Sequence, residues 1–375
     1  MRFPEFSGEW EKALLNHYLE ENKERNKKGV FTKNDVLSVS GDYGVVNQIE
    51  LLGRSFAGKS VLDYHVVRHG NIVYTKSPLK EYPYGIVKVN DGVDGIVSTL
   101  YAVYMTKENV DGKFIENYFG LPSRTNRYFK PIVRIGAKHD MKIGNEEVLA
   151  NYVIFPQLDE QKRISEFISL LDQRIETQKK IIEDLKKLKD AISVRLFTSA
   201  TCGKRELSDL ATIVMGQSPS SQCYNTNNEG LPLIQGNLDI TKGKLTPRIY
   251  SSEATKKCQD GDVILTVRAP VGEVAIADFG ACIGRGVCAI KPFDDTLSVL
   301  IYQFLQYFKP KWFSLEQGST FTSVSRDVIM SIKVAIPSIQ AIETLNILDK
   351  KITIEDVILN NLNFQKKILM NQMFI

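Results

Sequence analysis

The chain has 375 residues, enough for two domains with connecting helices. Hydrophobic residues make up 43% and charged residues 25%, which is ordinary for a globular protein and argues against disorder, while a net charge of +4 is too small to indicate nucleic acid by itself. No apolar run approaches the roughly 20 residues of a membrane helix, and the opening MRFPEFSGEW lacks the apolar core of a signal peptide, so we expect a soluble, cytoplasmic protein.

Residues 1–155 mix short helices with β-branched strand runs punctuated by glycine, which predicts a first α/β domain. Its segment 121–142 has six basic residues against one acidic residue, with Tyr128 and Phe129 among them. This composition suits a surface that lies on phosphates, although a solvated basic loop is an equally good interpretation. The basic residues are Arg124, Arg127, Lys130, Arg134, Lys138 and Lys142.

One motif in this domain indicates a different function. The residues from Gly53 to Ser60, GRSFAGKS, match the phosphate-binding pattern GxxxxGK[ST]. The preceding VVNQIELL is plausible as a strand, but the following VLDYHVVRH is short for a helix and ends at Gly70. An exposed glycine loop is therefore the favoured interpretation, and a P-loop nucleotide-binding protein is the alternative. ATP binding that is abolished by Lys59→Ala would support that alternative.

Cysteines and histidines do not indicate a metal site. His65 and His69 are four residues apart, but the adjacent Gly70-Asn71 turn argues against a helical metal face. Five cysteines without a CxxC pair predict neither zinc nor a disulfide framework, so we expect reduced, buried thiols. All five lie in the second half of the chain: Cys202, Cys223, Cys258, Cys282 and Cys288.

The strongest organisational feature is an internal duplication. Segments 143–156 (IGNEEVLANYVIFP) and 324–337 (VSRDVIMSIKVAIP) both predict a short helix and then an apolar strand closed by proline. A long helix follows each segment, over 156–199 and 337–375, and residues 172–197 align without a gap with residues 349–374, although the second copy is about one turn shorter between its proline and its aspartate. Helices of nearly 40 residues would be about 55–60 Å long, which predicts a rod with one globular domain at each end.

Both long helices carry a heptad repeat, which predicts an antiparallel coiled coil. The two seams have polar interruptions at the same positions, Gln178 with Glu355 and Lys189 with Lys366. Since two buried lysines would be unusual in a closed pair, we expect their stems to reach solvent or a third chain. The apolar interface residues predicted are Ile168, Leu171, Ile175, Ile182, Leu185, Ile192, Leu345, Leu348, Ile352, Leu359, Leu362 and Leu369.

The second globular part, 200–336, repeats the frame of the first. Its stretch GDVILTVRAPVGEVAIADFGACIGRGVCAIKP predicts a strand, a proline-bearing turn, a second strand, a glycine loop and a third strand. The first part echoes it with GNIVYTKSP, so that a basic residue, Lys76 or Arg268, stands at each strand exit. A shared frame with divergent loops indicates two copies of one scaffold whose loops recognise different targets.

This pattern resembles the specificity subunit of type I restriction-modification systems, and the resemblance covers the whole chain. IFPQLDEQKRISEFISLLDQRIETQKKIIEDLKKLK is similar to the central conserved region of that family, GDVILTVRAPVGEVAIADFGACIGRGVCAI to a target-recognition domain, and FPEFSGEW to the usual opening. The resemblance implies an α+β fold with a pseudo-two-fold. Two duplicated α/β target-recognition domains, 1–155 and 200–336, would be joined by two long antiparallel coiled-coil helices, 156–199 and 337–375.

The resemblance also implies a non-catalytic bacterial subunit whose recognition domains each read one half of a bipartite site in double-stranded DNA. In this family the paired helices bind two modification subunits, which carry S-adenosylmethionine and methylate adenine. Restriction subunits supply ATP-driven translocation and cleavage, so ATP and Mg are expected there and no cofactor or metal in this chain. A coiled-coil interaction protein that no longer reads DNA is a further interpretation.

Candidate DNA contacts follow from residue type and position, because phosphate contacts position a protein and base-edge contacts specify the sequence. The candidates for phosphate are Arg124, Arg127, Lys130, Lys142, Lys242, Lys244 and Lys291. The candidates for base edges are Lys76, Ser77, Gln217, Ser218, Gln235, Asn237, Arg268, Ser319, Thr320 and Thr322.

Overall fold

The computed structural model describes residues 2–79, 82–135, 141–199, 203–314 and 323–374. The chain divides into two compact units. Unit 1 consists of Met1–Thr177 together with Asn360–Ile375, and unit 2 is Gln178–Leu359. Each globular part is therefore grouped with a portion of both long helices. Within the described ranges, no helix is both long enough and apolar enough to cross a membrane.

In the part of the chain that the structure describes, unit 1 contains twelve short strands, four short α-helices and the first part of a long helix. The strands are β1 (Glu11–Leu14), β2 (Leu19–Glu21), β3 (Leu37–Ser40), β4 (Gly44–Asn47), β5 (His65–Val67), β6 (Ile72–Thr75), β7 (Val87–Val89), β8 (Gly95–Val97), β9 (Tyr101–Thr106), β10 (Arg134–Ile135), β11 (Met141–Lys142) and β12 (Tyr152–Phe155). The helices are α1 (Gln48–Leu52), α2 (Gly112–Phe119), α3 (Pro122–Phe129), α4 (Asn145–Val148) and the first part of α5 (Leu158–Thr198).

The second globular part, in unit 2, begins after α5. Its strands are β13 (Gly203–Glu206), β14 (Ala211–Met215), β15 (Tyr224–Asn225), β16 (Leu231–Ile234), β17 (Ile240–Thr241), β18 (Lys244–Leu245), β19 (Ile249–Ser251), β20 (Lys257–Cys258), β21 (Val263–Thr266), β22 (Val274–Ile276), β23 (Ala281–Ile283), β24 (Val287–Pro292) and β25 (Lys333–Ile336). The helices are α6 (Thr296–Phe308), α7 (Arg326–Met330) and α8 (Ile339–Met373), whose last turns belong to unit 1.

The two units share one frame, which confirms the predicted duplication. An antiparallel sheet has the order β2-β9-β6-β7 in unit 1 and β14-β24-β21-β22 in unit 2. In each unit the strand before the long helix, β12 or β25, pairs with the strand that opens the unit's globular part, β1 or β13. Outside this frame the units differ, since unit 2 has a five-stranded sheet β15-β19-β16-β23-β20 where unit 1 has the pairs β3–β4 and β5–β8.

Aromatic side chains fill the core of unit 1 beside the long helices. Phe114 on α2 is completely buried, and its ring centroid lies 5.0 Å from that of Phe155 and 5.4 Å from that of Phe374. The side chain of Asp111 caps α2 by accepting from the backbone N–H of Phe114, which fixes the start of that helix. The end of α8 is therefore part of the unit 1 core.

The hydrogen-bond register corrects the predicted equivalence of Lys76 and Arg268. The backbone N–H of Lys76 donates to the carbonyl oxygen of Leu100, and after β21 the matching bond runs from Val267 to Gly286. Lys76 therefore corresponds to Val267, one residue before Arg268. Because successive residues of a strand face opposite sides, this shift of one residue places Lys76 and Arg268 in different surroundings.

The residues at matching positions differ in chemistry between the units. Arg268 corresponds to Ser77, which directly follows Lys76. On the neighbouring strands, Tyr101 pairs with Thr75 in unit 1 and Val287 pairs with Thr266 in unit 2. Tyr101 therefore corresponds to Val287. Counting back two residues from each makes Thr99 the counterpart of Arg285. Two arginines of unit 2 thus correspond to two hydroxyl side chains of unit 1.

The long helices bury the predicted seam. Helix α5 has 41 residues and α8 has 35, which corresponds to about 62 and 52 Å. Every predicted apolar interface residue is buried or half-buried, for example Ile168 at 1% and Leu345 at 0% exposure. In unit 2 the facing segments run antiparallel, because Gln178 contacts Glu355 while Lys189, further along α5, contacts the earlier Asp349.

Both seam lysines pair with a carboxylate, and Lys189 is buried rather than reaching solvent as expected, whereas the Lys366 side chain is 25% exposed. Lys189 is 8% exposed, and its Nζ donates to Asp349 Oδ1 at 2.6 Å and to Gln306 Oε1 at 2.7 Å. In unit 1 Lys366 forms the equivalent ion pair with Asp172. The partner carboxylate lies on the facing helix, and it satisfies an ammonium group that sequence alone shows only as a polar interruption.

Buried polar side chains fix each globular part on its helices. In unit 1 the completely buried Gln161 of α5 donates to the carbonyl oxygen of Pro156 at 2.8 Å and accepts from the backbone N–H of Asp111 at 3.0 Å. In unit 2 Gln303 of α6 donates to Asp349 Oδ2 at 2.6 Å. Both polar groups of the Gln161 side chain are hydrogen-bonded, so rotation of α5 against its domain would leave buried polar atoms unpaired. In unit 2 the hydrogen bond from Gln303 Nε2 has the same role, whereas Gln303 Oε1 has no partner among the described residues.

The N-terminal segment is tied to the first turns of α5. Arg2 makes a two-pronged ion pair with Glu160, whose side chain is 2% exposed, at 2.7 and 2.6 Å. Trp10 Nε1 donates to the same carboxylate at 3.3 Å, and the ring of Phe3 packs edge-on against Phe167. These contacts account for Phe3 and Trp10 of the FPEFSGEW opening and for Arg2 before it.

Replacing Lys189 by methionine tests the seam ion pair. The variant keeps the apolar stem but leaves Asp349 without its cation, so we expect unfolding to become easier by about 2 kcal/mol. This is below the ~3–5 kcal/mol of a deeply buried pair, because Asp349 remains 26% exposed and keeps the hydrogen bond from Gln303. The measurement is the midpoint of urea unfolding.

The matched control is Lys187→Met, on the same helix. Lys187 is 68% exposed and pairs with Glu183 one turn earlier on the same helix, so its replacement should leave the midpoint unchanged. Equal midpoints for the two variants would show that the seam pair contributes nothing.

Candidate nucleic-acid interface

Several predicted contact residues are already engaged within their unit. Lys76 is half-buried and donates to Asn145 Oδ1, and burial lowers the pKa of its ammonium group. Lys242 forms an ion pair with Asp356 at 2.6 Å, and Lys291 forms one with Asp262 at 2.7 Å. A contact of these lysines with DNA would have to replace or share an existing partner.

In unit 1 the predicted basic segment is only partly available. Arg124 donates from Nη2 to the carbonyl oxygen of Phe374 at 2.6 Å and lies 5.5 Å from the ring centroid of Tyr118. Other predicted contact residues are exposed: Ser77, Arg127, Lys130, Lys142, Gln217 and Lys244. Predicted residues that lie outside the described ranges are Lys138, Ser319, Thr320 and Thr322.

One cleft of unit 2 brings together four predicted base-contact residues. The cleft measures about 630 Å³. The predicted residues that line it are Ser218, Gln235, Asn237 and Arg268, and it also contains Tyr224 and Arg285, which sequence reasoning missed. A basic cleft with amide, hydroxyl and aromatic groups has the donors and the stacking surface that base edges need.

Turns after four strands form the cleft, and close backbone approaches hold them together. The strands are β14, β16, β21 and β23. The backbone N–H of Gly284, after β23, donates to the carbonyl oxygen of Ile234 at 2.8 Å. A Cβ at Gly286 would lie 2.1 Å from the carbonyl oxygen of Gln235, so only glycine fits there. The sequence IGRGV therefore packs directly against the turn after β16.

A buried carboxylate fixes the turn that carries Gln235. Asp239 is 2% exposed, and its Oδ2 accepts from the backbone N–H of Gln235 at 2.8 Å. Its Oδ1 accepts from Arg248 Nε at 2.9 Å. The Gln235 side chain in turn donates from Nε2 to the hydroxyl of Tyr224 at 3.0 Å. This network orients the polar wall of the cleft before any ligand binds.

Arg268 and Arg285 are the cations of the cleft. Both are exposed, and neither guanidinium has an ion-pair partner among the residues that the structure describes. The Arg285 backbone N–H donates to Ser218 Oγ at 3.2 Å, and Arg268 pairs with Ser323 in an antiparallel bridge. The glycines on both sides of Arg285 were the signal that could have identified it.

The phosphate-loop match at Gly53–Ser60 has the wrong surroundings. Gly53 ends the short helix α1 with a φ of 74°, and the residues after it up to Ser60 belong to neither helix nor strand. A phosphate-binding loop needs a strand immediately before it and a helix whose N-terminus meets the phosphate. Neither is present, so the alternative of a nucleotide-binding loop fails and the segment is an exposed loop.

The cysteines and histidines form no metal cluster in the ranges that are described. Cys258, Cys282 and Cys288 are buried free thiols, whereas Cys223 is only half-buried, and Cys202 lies outside the described ranges. His65 is buried on β5, and burial lowers the pKa of its imidazole to about 4, so the ring is neutral at pH 7. Its Nδ1 has no hydrogen-bond partner among the residues that the structure describes, and His69 is exposed.

Known proteins resemble this chain over part or all of its length. Residues 201–363 match the family described as "Type I restriction modification DNA specificity domain". The putative type I restriction enzyme MjaX specificity subunit of Methanocaldococcus jannaschii is 34% identical over 205 residues, covering 49% of this chain and 48% of that protein. The MjaIX specificity subunit of the same organism is 26% identical over 151 residues, which cover 36% of this chain and 34% of that protein. The chain therefore matches about half of the length of the MjaX subunit and about a third of the length of the MjaIX subunit.

Solved structures share the fold over nearly the whole chain. A chain from a study of complex assembly and conformational transition of the type I R-M system has a TM-score of 0.64 at 21% identity, covering 98% of both chains. The type I S subunit from M. genitalium has a TM-score of 0.61 at 16% identity, covering 98% and 96%. The HsdS subunit from Thermoanaerobacter tengcongensis has a TM-score of 0.50 at 19% identity, covering 100% of this chain and 98% of that chain. At these identities the likeness shows that the chain shares the fold of these type I restriction-modification subunits.

Replacing Gly286 by alanine tests how the cleft is built. The added Cβ would meet the Gln235 carbonyl oxygen, a backbone atom that cannot move alone, so we expect a loss of about 1–3 kcal/mol and a lower thermal midpoint. Gly236→Ala is the control in the same cleft, since a Cβ there meets nothing within 4 Å and its φ of 176° is extended. A Gly286→Ala midpoint as high as that of the control would contradict this packing.

Proposed function

We propose that the chain is the sequence-specific DNA-binding subunit of a type I restriction-modification complex, and that each unit reads one half of a bipartite site. The observation that carries this proposal is the pre-organised basic cleft of unit 2 on a frame that unit 1 repeats. Arginine, glutamine and asparagine on fixed turns are the side chains that discriminate base edges. The double-stranded DNA between the two half-sites is left unread.

The long helices support a fixed spacing between the half-sites. Each helix contributes to both units, and buried polar contacts at Gln161 and Gln303 fix each globular part on its helices. Two domains that read the same face of a duplex must be about one helical turn, roughly 34 Å, apart. Helices of about 52–62 Å are long enough for that separation. Helix length then sets the number of unread base pairs.

The outward face of α8 supports binding of further protein subunits. It carries exposed apolar side chains at spacings of seven, three, seven and four residues, the period of a second helical seam. These residues are Ile347, Ile354, Val357, Phe364 and Ile368, with exposures from 39% to 64%. Exposed apolar rows of this kind mark protein interfaces. We assign two modification subunits to the helices, and restriction subunits to the complete complex.

The catalytic work is assigned to those partners. In this proposal the chain is non-catalytic and works in the cytoplasm, where the DNA is. S-adenosylmethionine belongs to the modification subunits, which methylate adenine, and ATP and Mg belong to the restriction subunits. What this chain contributes is the choice of sequence and the distance between the two sites of methylation.

Mapping of methylated adenine in cellular DNA tests the function. DNA is sequenced from cells that express this chain with its cognate modification subunit, and from cells that lack only this chain. We expect one bipartite motif with methyladenine in both halves, present only with the chain. An assembled complex that methylates no motif would contradict DNA reading and leave an interaction scaffold.

A matched heptad insertion tests the spacing. Seven residues are inserted after Lys180 in α5 and after Asp356 in α8, positions that face each other and lie between the two seam ion pairs. The helices lengthen by about 10 Å, so we expect the same half-sites with a spacer longer by about three base pairs. The insertion in α5 alone is the control and should abolish methylation, because it breaks the facing register. An active complex with an unchanged spacer would refute the role of the helices.

A further inference from the structure

Arg268 and Arg285 combine exposed guanidinium groups with backbones that are held by hydrogen bonds. Lys242 and Lys291 are held by carboxylates, whereas the two arginines carry no ion pair in the described part of the chain. Each arginine nevertheless leaves a backbone that is hydrogen-bonded, Arg285 at Ser218 and Arg268 at Ser323. The side chains are therefore free to bind a ligand, while the backbone from which each side chain extends is held in place.

The turns that carry the two arginines are also tied to each other. The backbone N–H of Val267, next to Arg268, donates to the carbonyl oxygen of Gly286, next to Arg285, at 2.9 Å. Val267 in turn accepts from the backbone N–H of Val324 at 3.0 Å. Because one hydrogen bond separates the two turns, both guanidinium groups serve one small area of the cleft. A ligand there meets two planar, permanently charged donors.

The lining of the cleft favours a base edge with two acceptors. The described lining residues include no carboxylate, since Asp239 is buried behind Gln235 and paired with Arg248. A carboxylate is the usual acceptor for the amino group of cytosine, whereas a planar guanidinium matches the O6 and N7 acceptors of guanine in the major groove. Ser218, Gln235 and Asn237 beside the arginines suit neighbouring base edges rather than a bare phosphate.

Unit 1 has different chemistry at the same two positions. Ser77 corresponds to Arg268 and Thr99 to Arg285, and both lie on the turns that match those of unit 2. Short hydroxyl side chains cannot make the two-pronged contact to guanine that arginine makes. The cation nearest to Ser77, Lys76, faces Asn145 instead. The two units therefore present unlike readers at equivalent positions.

We infer that Arg268 and Arg285 read guanine in the half-site bound by unit 2, and that unit 1 makes no such contact through Ser77 and Thr99. This inference rests on the proposed DNA-reading function and adds a base identity to it. It also predicts which half of the motif belongs to which unit, because the half that changes with the arginines is the one read by unit 2.

The experiment maps methyladenine motifs for the full chain with its cognate modification subunit, as wild type, Arg268→Ala, Arg285→Ala and Arg285→Lys. The expected result is a guanine in one half-site that the alanine variants no longer require, with preference over the other bases falling roughly tenfold to hundredfold. The other half-site should be unchanged. Arg285→Lys keeps the charge without the planar fork, so it should relax the same position in part.

Arg326→Ala is the control for charge, because Arg326 is an exposed arginine of unit 2 outside the cleft. It should leave the motif as in the wild type, and thermal midpoints for all variants show that each is folded.

Three results would overturn the inference while the proposed function stands. They are a motif unchanged by either alanine variant, a relaxed position that is not guanine, and an equal loss at all sequences, which marks a phosphate contact. A wild-type complex that methylates no motif would instead overturn the proposed function, and the inference with it.

Discussion

The architecture depends on a lysine in the seam of each long helix that meets an aspartate on the other helix. Lys189 and Asp349 pair in unit 2, and Lys366 and Asp172 pair in unit 1. On both helices the aspartate and the lysine are 17 residues apart, so one sequence pattern produces the same contact twice. Sliding one helix along the other by a heptad would keep apolar residues in the seam but separate both charge pairs. The ion pairs therefore select one register among those that the apolar residues allow.

This register has consequences for the globular part of unit 2, because the charged groups of that seam also contact it. Asp349 accepts from Gln303 of α6, and Lys189 donates to Gln306 of the same helix. The seam in unit 2 is thus continuous with the helix that packs against the main sheet. A change of register would disturb the support of the cleft as well as the coiled coil, although the cleft residues themselves lie on distant turns.

The sequence was a good guide to features that repeat and a poor guide to features that pair. The duplication, the seam and the short helix with its strand before each long helix are periodic or local, and all are present in the structure. The partners of Lys189, Lys242 and Lys291 come from segments more than 25 residues away, and no local pattern predicts them. The glycines on both sides of Arg285 were a local signal, but its place in the cleft depends on turns that follow other strands.

Two sequence comparisons were misleading for physical reasons. Aligning the proline turns made Lys76 the counterpart of Arg268, but backbone hydrogen bonds count residues from the strands, and unit 2 has one more residue before its proline. The GRSFAGKS segment matched a motif letter for letter without the strand and helix that give the motif its chemistry. In both cases the residue types matched, but the backbone geometry determined whether the positions were equivalent.

The discontinuity of unit 1 affects the order in which the protein is completed during synthesis. Unit 2 is one continuous stretch, so all its parts have left the ribosome once Leu359 has emerged. Unit 1 begins with the first residues of the chain, yet its core includes Met373 and Phe374. Domains usually fold in the order in which they are made. Here the domain that is started first is finished last, and until then its aromatic core lacks the wall that the end of α8 provides.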